Sequence, residues 1–225
     1  MRASRQLDEP RVCLVIWRHH SSLDMPTSPA AIQLRVSLRG IRPLIWRRLT
    51  VPSEFSLDEL HTVLQLAFGW TNSHLFAFTI EGRRYELSED EIEQEALSPE
   101  SPLVRTKLRD VLHTGVAASY EYDFGDSWVL DLVVEDEVTG TKAKSYPVCL
   151  DGERAGPPED CGGTSGYQRL CRASRLRRLK GDPAEFHPEA FDQEDVNDVL
   201  RTLDIKHGPL PRRDDGMSWP ESLTP

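Results

Sequence analysis

The sequence predicts an α+β fold, a single domain in which helices pack against a mainly antiparallel sheet. Three observations carry that expectation. Ile32, Leu34, Val36 and Leu38 alternate with Gln33, Arg35 and Ser37, the period-two pattern of a strand with one wet face. Leu57, Leu60, Val63, Leu64, Ala67 and Phe68 instead fall on one side of a 3.6-residue period, the stripe of a core-facing helix. Tight turn sequences at Glu81-Gly82 and Gly125-Asp126 join strand-like runs, and connections that short require antiparallel neighbours.

Taken in order, residues 1–29 have no clean periodicity and run into MPTSPA, so they are expected to be a flexible extension, with Met25 as an alternative translation start. After the first strand, Gly40 to Pro43 interrupts the pattern, and Leu44 to Val51, closed by Pro52, returns as its hairpin partner, with Trp46 apolar and Arg47 and Arg48 polar. Ser56 caps the helix with Glu59 three residues on, and Gly69 stops it. Leu75 to Ile80 and Arg83 to Glu86 form a hairpin. Residues 88–102 are acidic and contain Pro99 and Pro102, the composition of a solvated insertion.

Ser119 to Phe124 and Trp128 to Glu135 make a second hairpin, and Tyr146 to Leu150 one more short strand. Thr164 or Ser165 caps a helix through Tyr167, Leu170 and Cys171, and a last helix covers Gln193 to Leu203. The segment 204–225 is polar and proline-rich and is expected to be a disordered tail, which leaves 30–203 as the folded domain.

With 38% hydrophobic residues in 225, the chain can bury a core of its own. A net charge of -10 argues against a general nucleic-acid coat, because binding phosphate takes cations that replace released counterions. No apolar run approaches the roughly 20 residues of a membrane span, and Val12 to Trp17 is too short for the core of a signal peptide. A cytoplasmic protein without a membrane segment is therefore expected. The four cysteines, Cys13, Cys149, Cys161 and Cys171, are too sparse for a disulfide framework and read as thiols or metal ligands.

Four blocks in order, "QLRVSLRGIRPLIWRRLTVP", "LHTVLQLAFGWTNSHLFAF", "YEYDFGDSW" and "YPVCLDGERAGPPEDCGGTSGY", resemble the plasmid pRiA4b ORF-3-like family, also known as the insertion-element passenger TnpR family, across residues 30–203. The resemblance implies an α+β protein of bacteria or archaea linked with plasmids and mobile elements, with no settled activity. It also implies a depleted metal-ligand set: the family commonly carries histidine where this chain has Phe76 and Leu130, and cysteine where it has Ala155. The short "RVS" at Arg35 to Ser37 is similar to the motif around a serine recombinase nucleophile, but its continuation is missing and Ser37 falls on the polar face of a strand. Resolvase activity is not carried over.

Candidate chemistry falls into four groups. Cys149 and Cys161 with His74 or His61 are the nearest approach to a zinc set, against a structural reading as two semi-buried thiols. Asp151, Glu153, Glu159 and Asp160, joined by Asp123 and Asp126, could hold Mg²⁺ for phosphoryl chemistry, against local turn bonding by the two aspartates. Trp70, His74, Asp123, Asp126, Trp128 and Tyr167 would line a pocket if they converge. Two acid-free stretches, one with Arg35, Arg39, Arg42, Arg47 and Arg48 and one with Arg169, Arg172, Arg175, Arg177, Arg178 and Lys180, could contact phosphates.

"CGGTSG" leads into a helix and could receive an anion, but Glu159 and Asp160 precede it, and neither dinucleotide nor P-loop fingerprint is present. The expected function is a non-enzymatic binding or accessory module with a nucleic-acid or protein partner and no cofactor, zinc being the exception to test. The alternatives are a metal-dependent enzyme acting on nucleic acid and a DNA-contacting module that uses the arginines.

Overall fold

A computed structural model describes residues 29–139, 147–181 and 186–203, so the expectations for the first 28 residues, for Tyr146 and for 204–225 lie outside the described residues. Strand β1 (Ala31–Leu38) pairs with β2 (Trp46–Pro52), and helix α1 (Leu57–Phe68) follows. Next come β3 (Phe76–Ile80), β4 (Arg83–Glu86), α2 (Glu89–Glu93), α3 (Pro102–Arg105) and α4 (Leu108–Val111). β5 (Ala118–Tyr122), β6 (Trp128–Val138), β7 (Val148–Glu153), α5 (Gly163–Lys180) and α6 (Gln193–Leu200) complete the order.

The strands form one seven-stranded antiparallel sheet in the order β4-β3-β5-β6-β1-β2-β7. The first strand of the chain thus lies inside the sheet, joined to β6 about as extensively as to its own hairpin partner. Its alternation decides the core: Ile32, Leu34, Val36 and Leu38 are fully buried, whereas Gln33, Arg35 and Ser37 are half-buried on the opposite face. The apolar stripe of α1 is buried as well, each such side chain contributing roughly 1.5–3 kcal/mol. The Ser56–Glu59 capping box forms in both directions, and Gly69 closes the helix at φ 77°.

The acidic insertion is more ordered than its composition predicts. Ser88 and Glu91 make a second capping box and start α2, and Pro102 occupies the first position of α3. Glu91 is buried and accepts from the Ser88 amide at 2.9 Å, the Ser88 hydroxyl at 3.0 Å and the Ser98 amide at 3.0 Å. Burial alone would raise its pKa, but the hydrogen bonds from Ser88, Ser98 and Ser101 outweigh it and hold the carboxyl below its ordinary value.

A depressed carboxylate stabilises the fold above its unfolded pKa, and that contribution disappears as the pH falls through the lowered folded value. Glu91→Gln is therefore expected to cost about 1–2 kcal/mol near neutral pH. The gap from the parent chain should close in acid, which urea melts across a pH series will read.

The second half of the chain builds one edge of the sheet. β7 pairs with β2 on one side only, with Leu49 opposite Cys149. On its other side α6 supplies side chains: Asn197 Oδ1 accepts the Cys149 amide at 2.8 Å, and Asn197 Nδ2 and Gln193 Nε2 donate to the Cys149 carbonyl at 2.9 and 3.0 Å. The Cys149–Tyr167 stretch thus begins as the edge strand itself and only then leaves the sheet as a loop.

Candidate functional site

The corner between α1 and β3 is assembled from buried aromatics outward. Trp70 is buried between Phe68 and Tyr122, with centroids 5.3 and 4.9 Å away, and its Nε1 donates to the Pro157 carbonyl at 3.0 Å. Behind it lies a closed polar ring. The Asn72 amide donates to Gln65 Oε1 at 2.8 Å, and Gln65 Nε2 donates to the Tyr120 hydroxyl at 2.9 Å. His61 spans the remainder, with Nδ1 2.8 Å from Tyr120 Oη and Nε2 2.8 Å from Asn72 Oδ1.

Because Asn72 Oδ1 can only accept, His61 Nε2 carries the proton, and its Nδ1 accepts from Tyr120. All of these groups are satisfied, which makes His61 a structural residue and fixes Asn72 at its left-handed φ of 55°.

Asn72 and Trp70 between them position Thr71, Ser73 and His74. Glu159 Oε1 accepts from the Thr71 amide at 2.7 Å, the Thr71 hydroxyl at 3.1 Å and the Tyr122 hydroxyl at 2.9 Å, while Tyr122 Oη accepts the Ser73 amide at 3.0 Å. Burial and the neighbouring Glu159 charge raise the Tyr122 pKa, so the phenol stays protonated as a donor. Across the corner, Asp123 is buried at a left-handed φ of 54°, and its Oδ1 accepts the Gly125 and Asp126 amides at 3.0 and 3.2 Å.

Each of these carboxylates is thus held by one oxygen and presents the other to His74. Asp123 Oδ2 and Glu159 Oε2 each lie 3.7 Å from His74 Nε2, and Asp160 Oδ1 lies 3.2 Å away. His74 Nε2 is itself buried and makes no hydrogen bond. Donor atoms that share a cation at about 2.1 Å stand about 3.0–3.4 Å apart in octahedral and tetrahedral sites. The spacing around His74 falls close to that, and the anchored oxygens play the orienting role that outer hydrogen bonds play in metal centres. Among the described residues, His74, Asp123 and Asp160 are the one group of potential ligands whose donor atoms all lie within 4.8 Å of one another.

The other sequence-predicted residues are distributed differently. Asp126 accepts the Gly162 amide at 3.1 Å and ties the loop to the β5–β6 turn. Trp128 packs edge-to-face on Tyr167 at 6.5 Å between centroids, and Tyr167 packs in the same way on Phe186 at 5.9 Å. Cys149 and Cys161 do not join His74. Cys149 is buried in β7 with its thiol pushed up to about 11 by burial, and burial likewise lifts Cys161, ahead of α5, to about 11. The sequence held His74 in one group and Glu159 and Asp160 in another; their common locus emerges only when the loop closes on the corner.

The first arginine cluster acquires acids from its neighbours in the sheet. Arg39 pairs with Asp131, and Arg48 pairs with Glu135 at 2.6 Å and Asp151 at 3.8 Å. Arg35 lies over the Trp46 ring at 4.7 Å, and Arg42 points at the Ile41 carbonyl. Arg47 is buried, so it is withdrawn from any surface a phosphate could reach. In the second cluster Arg169, Arg172, Arg175, Arg177 and Arg178 are exposed on α5, and Arg178 pairs with Glu189 at 2.9 Å. No helix among the described residues is long and apolar enough to cross a membrane.

Comparison with known proteins adds relatives without an assigned activity. The family described as plasmid pRiA4b ORF-3-like protein matches residues 30–199. The chain is 33% identical over 165 residues to the uncharacterized protein y4hQ of Sinorhizobium fredii, covering 72% of this chain and 80% of that one. It is also similar to the crystal structure of a protein of unknown function, MM3350, from Methanosarcina mazei Go1. That match has a TM-score of 0.62 and 29% identity, and it covers 76% of this chain and 99% of the other.

Proposed function

The chain belongs to the plasmid pRiA4b ORF-3-like family, and from that premise we propose that it is a non-enzymatic binding module whose loop after β7 is clamped by a divalent cation at His74, Asp123, Glu159 and Asp160. One observation carries this reading: a buried, unbonded imidazole nitrogen faces three carboxylate oxygens at 3.2–3.7 Å, two of them on carboxylates fixed through their other oxygen. One nitrogen and three oxygens suit Zn²⁺ or Mn²⁺ better than a soft, thiolate-seeking ion. His74, Asp123 and Asp160 are the three whose donor atoms lie within 4.8 Å of one another, and Glu159 would complete the closed four-donor shell of structural zinc by a shift of its side chain. Such an ion would join the start of β3, the β5–β6 turn and the loop before α5.

Titration of chelator-treated protein with Zn²⁺ or Mn²⁺ is expected to show one site per chain in calorimetry and to raise Tm. Saturation at 100 times Kd supplies about 2.7 kcal/mol. Asp160 is 78% exposed at its side chain, so Asp160→Asn should spare the apo fold and weaken binding at least tenfold. Binding that is unchanged in Asp160→Asn and Asp123→Asn, or no binding by the parent chain, would remove the cation from this corner.

The exposure of Asp160 also favours a second reading, a metal-dependent enzyme acting on nucleic acid, because a ligand that yields to water opens a coordination position. Cation-dependent cleavage of an oligonucleotide, lost in Asp123→Asn, would establish it over the first.

A further inference from the structure

Among the described residues two helix faces remain without partners, and each carries what the other lacks. On α5, Arg172, Arg175, Leu176 and Leu179 follow the i, i+3, i+4, i+7 spacing of a single stripe, yet the stripe points outward: Leu176 is 53% and Leu179 75% exposed. The buried positions of the helix, Gly163, Gly166, Tyr167 and Ser174, all precede the two exposed leucines. Arg172, Arg175 and Lys180 have no acidic partner among the described residues. On α2, Glu89, Ile92 and Glu93 fall at i, i+3 and i+4 on the face opposite buried Glu91, and Ile92 is 42% exposed. Glu89, Asp90 and Glu93 likewise have no basic partner among the described residues.

We propose that these faces dock on each other between two copies of this chain, the basic stripe of α5 in one copy seating Ile92 and the acids of α2 in the other, and reciprocally. The pairing is specified twice, by apolar side chains at the centre of both faces and by opposite charge around them. A two-fold axis makes both contacts at once, since in such a dimer the surface that meets its complement on the partner also offers that complement in return. Nucleic acid would satisfy the arginines but not the two exposed leucines, whereas an acidic helix with a central isoleucine satisfies both. The dimer involves none of the residues around His74, so the two readings fail independently.

Complementary charge reversal tests it. The parent chain is expected to sediment as a dimer at low salt and to dissociate as salt screens the contact. Arg172→Glu/Arg175→Glu and Glu89→Lys/Glu93→Lys should each be monomeric with an unchanged circular dichroism spectrum. An equimolar mixture of the two variants should return to the dimer, because every contact in the mixed pair joins opposite charges. The same result with chelator present separates the association from any cation. A parent chain that stays monomeric at 50 mM salt and about 50 µM protein, a dimer indifferent to both variants, or a mixture that does not reassociate would each overturn the proposal. A monomeric parent chain that binds an oligonucleotide through Arg172 and Arg175 would assign the stripe to nucleic acid instead.

Discussion

Arg47→Ala is expected to destabilise the fold by about 3–4 kcal/mol, far more than an ordinary surface arginine would. The Arg47 guanidinium donates from Nε to the Ala67 carbonyl at 2.9 Å, from Nη1 to Trp46 and Glu153 at 2.8 and 3.0 Å, and from Nη2 to Arg154 at 2.8 Å. Ala67 lies in the last turn of α1, where helical carbonyls run out of amide partners, so one side chain serves the helix end, β2 and the end of β7 together.

The planar group is also packed against Phe191 at 4.3 Å and Phe68 at 5.1 Å. Burial lowers its pKa to about 10, still leaving it charged at neutral pH. Truncation would strand four acceptors and open a gap between the rings. Arg47→Lys should recover little, because an ammonium cannot fork to four carbonyls in one plane. Urea midpoints at constant m are the measurement, and a loss below about 1 kcal/mol would show that water replaces the guanidinium.

The second large effect is expected at Gly156, for a different physical reason. Its backbone φ is not left-handed, so conformational freedom is not what the position needs. A Cβ there would instead run into the carbonyl oxygen of Phe68, with the Phe68 carbonyl carbon at 3.0 Å and Cα at 3.3 Å. No rotamer change relieves a clash with backbone, so Gly156→Ala should cost about 3 kcal/mol and displace the loop from α1.

Pro157 and Glu159 follow directly, so the Trp70 hydrogen bond and any cation affinity at His74 should fall with it. Gly82→Ala is the contrast: its Cβ meets nothing within 4 Å and only its φ of 80° opposes the change, at a cost of about 1 kcal/mol. Equal losses at the two positions would refute the steric account.

How far these features are legible in the sequence follows from the range of the forces involved. α1 could be read from its own residues, since the cap, stripe and terminal glycine are local. The hairpins could be read for the same reason. The polarity of β2 does not tell which side faces the core: Trp46 is apolar and Arg47 polar, yet Arg47, Leu49 and Val51 are buried and Trp46 sits half-exposed, donating to Glu153 at 3.0 Å. The alternation was visible but its phase was not, because an arginine belongs inside only if orphan carbonyls wait there. α2 was hidden by its acidity, although its capping box was present in the letters. The His74 cluster had no local signature, since Glu159 and Asp160 reach it from 85 and 86 residues downstream.

The amide of Asn197 gives the sheet its boundary. A strand edge normally offers alternate donors and acceptors to whatever extended chain arrives, and that is how sheets grow into one another. At Cys149 a single side chain presents one acceptor and one donor in the places a neighbouring strand would use, with Gln193 reinforcing it. The last strand is in effect given a false neighbour that has no edge of its own to extend. At Cys149, polymerisation through this side is closed by a mimic, while Asp151 and Glu153 further along the strand add the exposed charges that edges commonly carry.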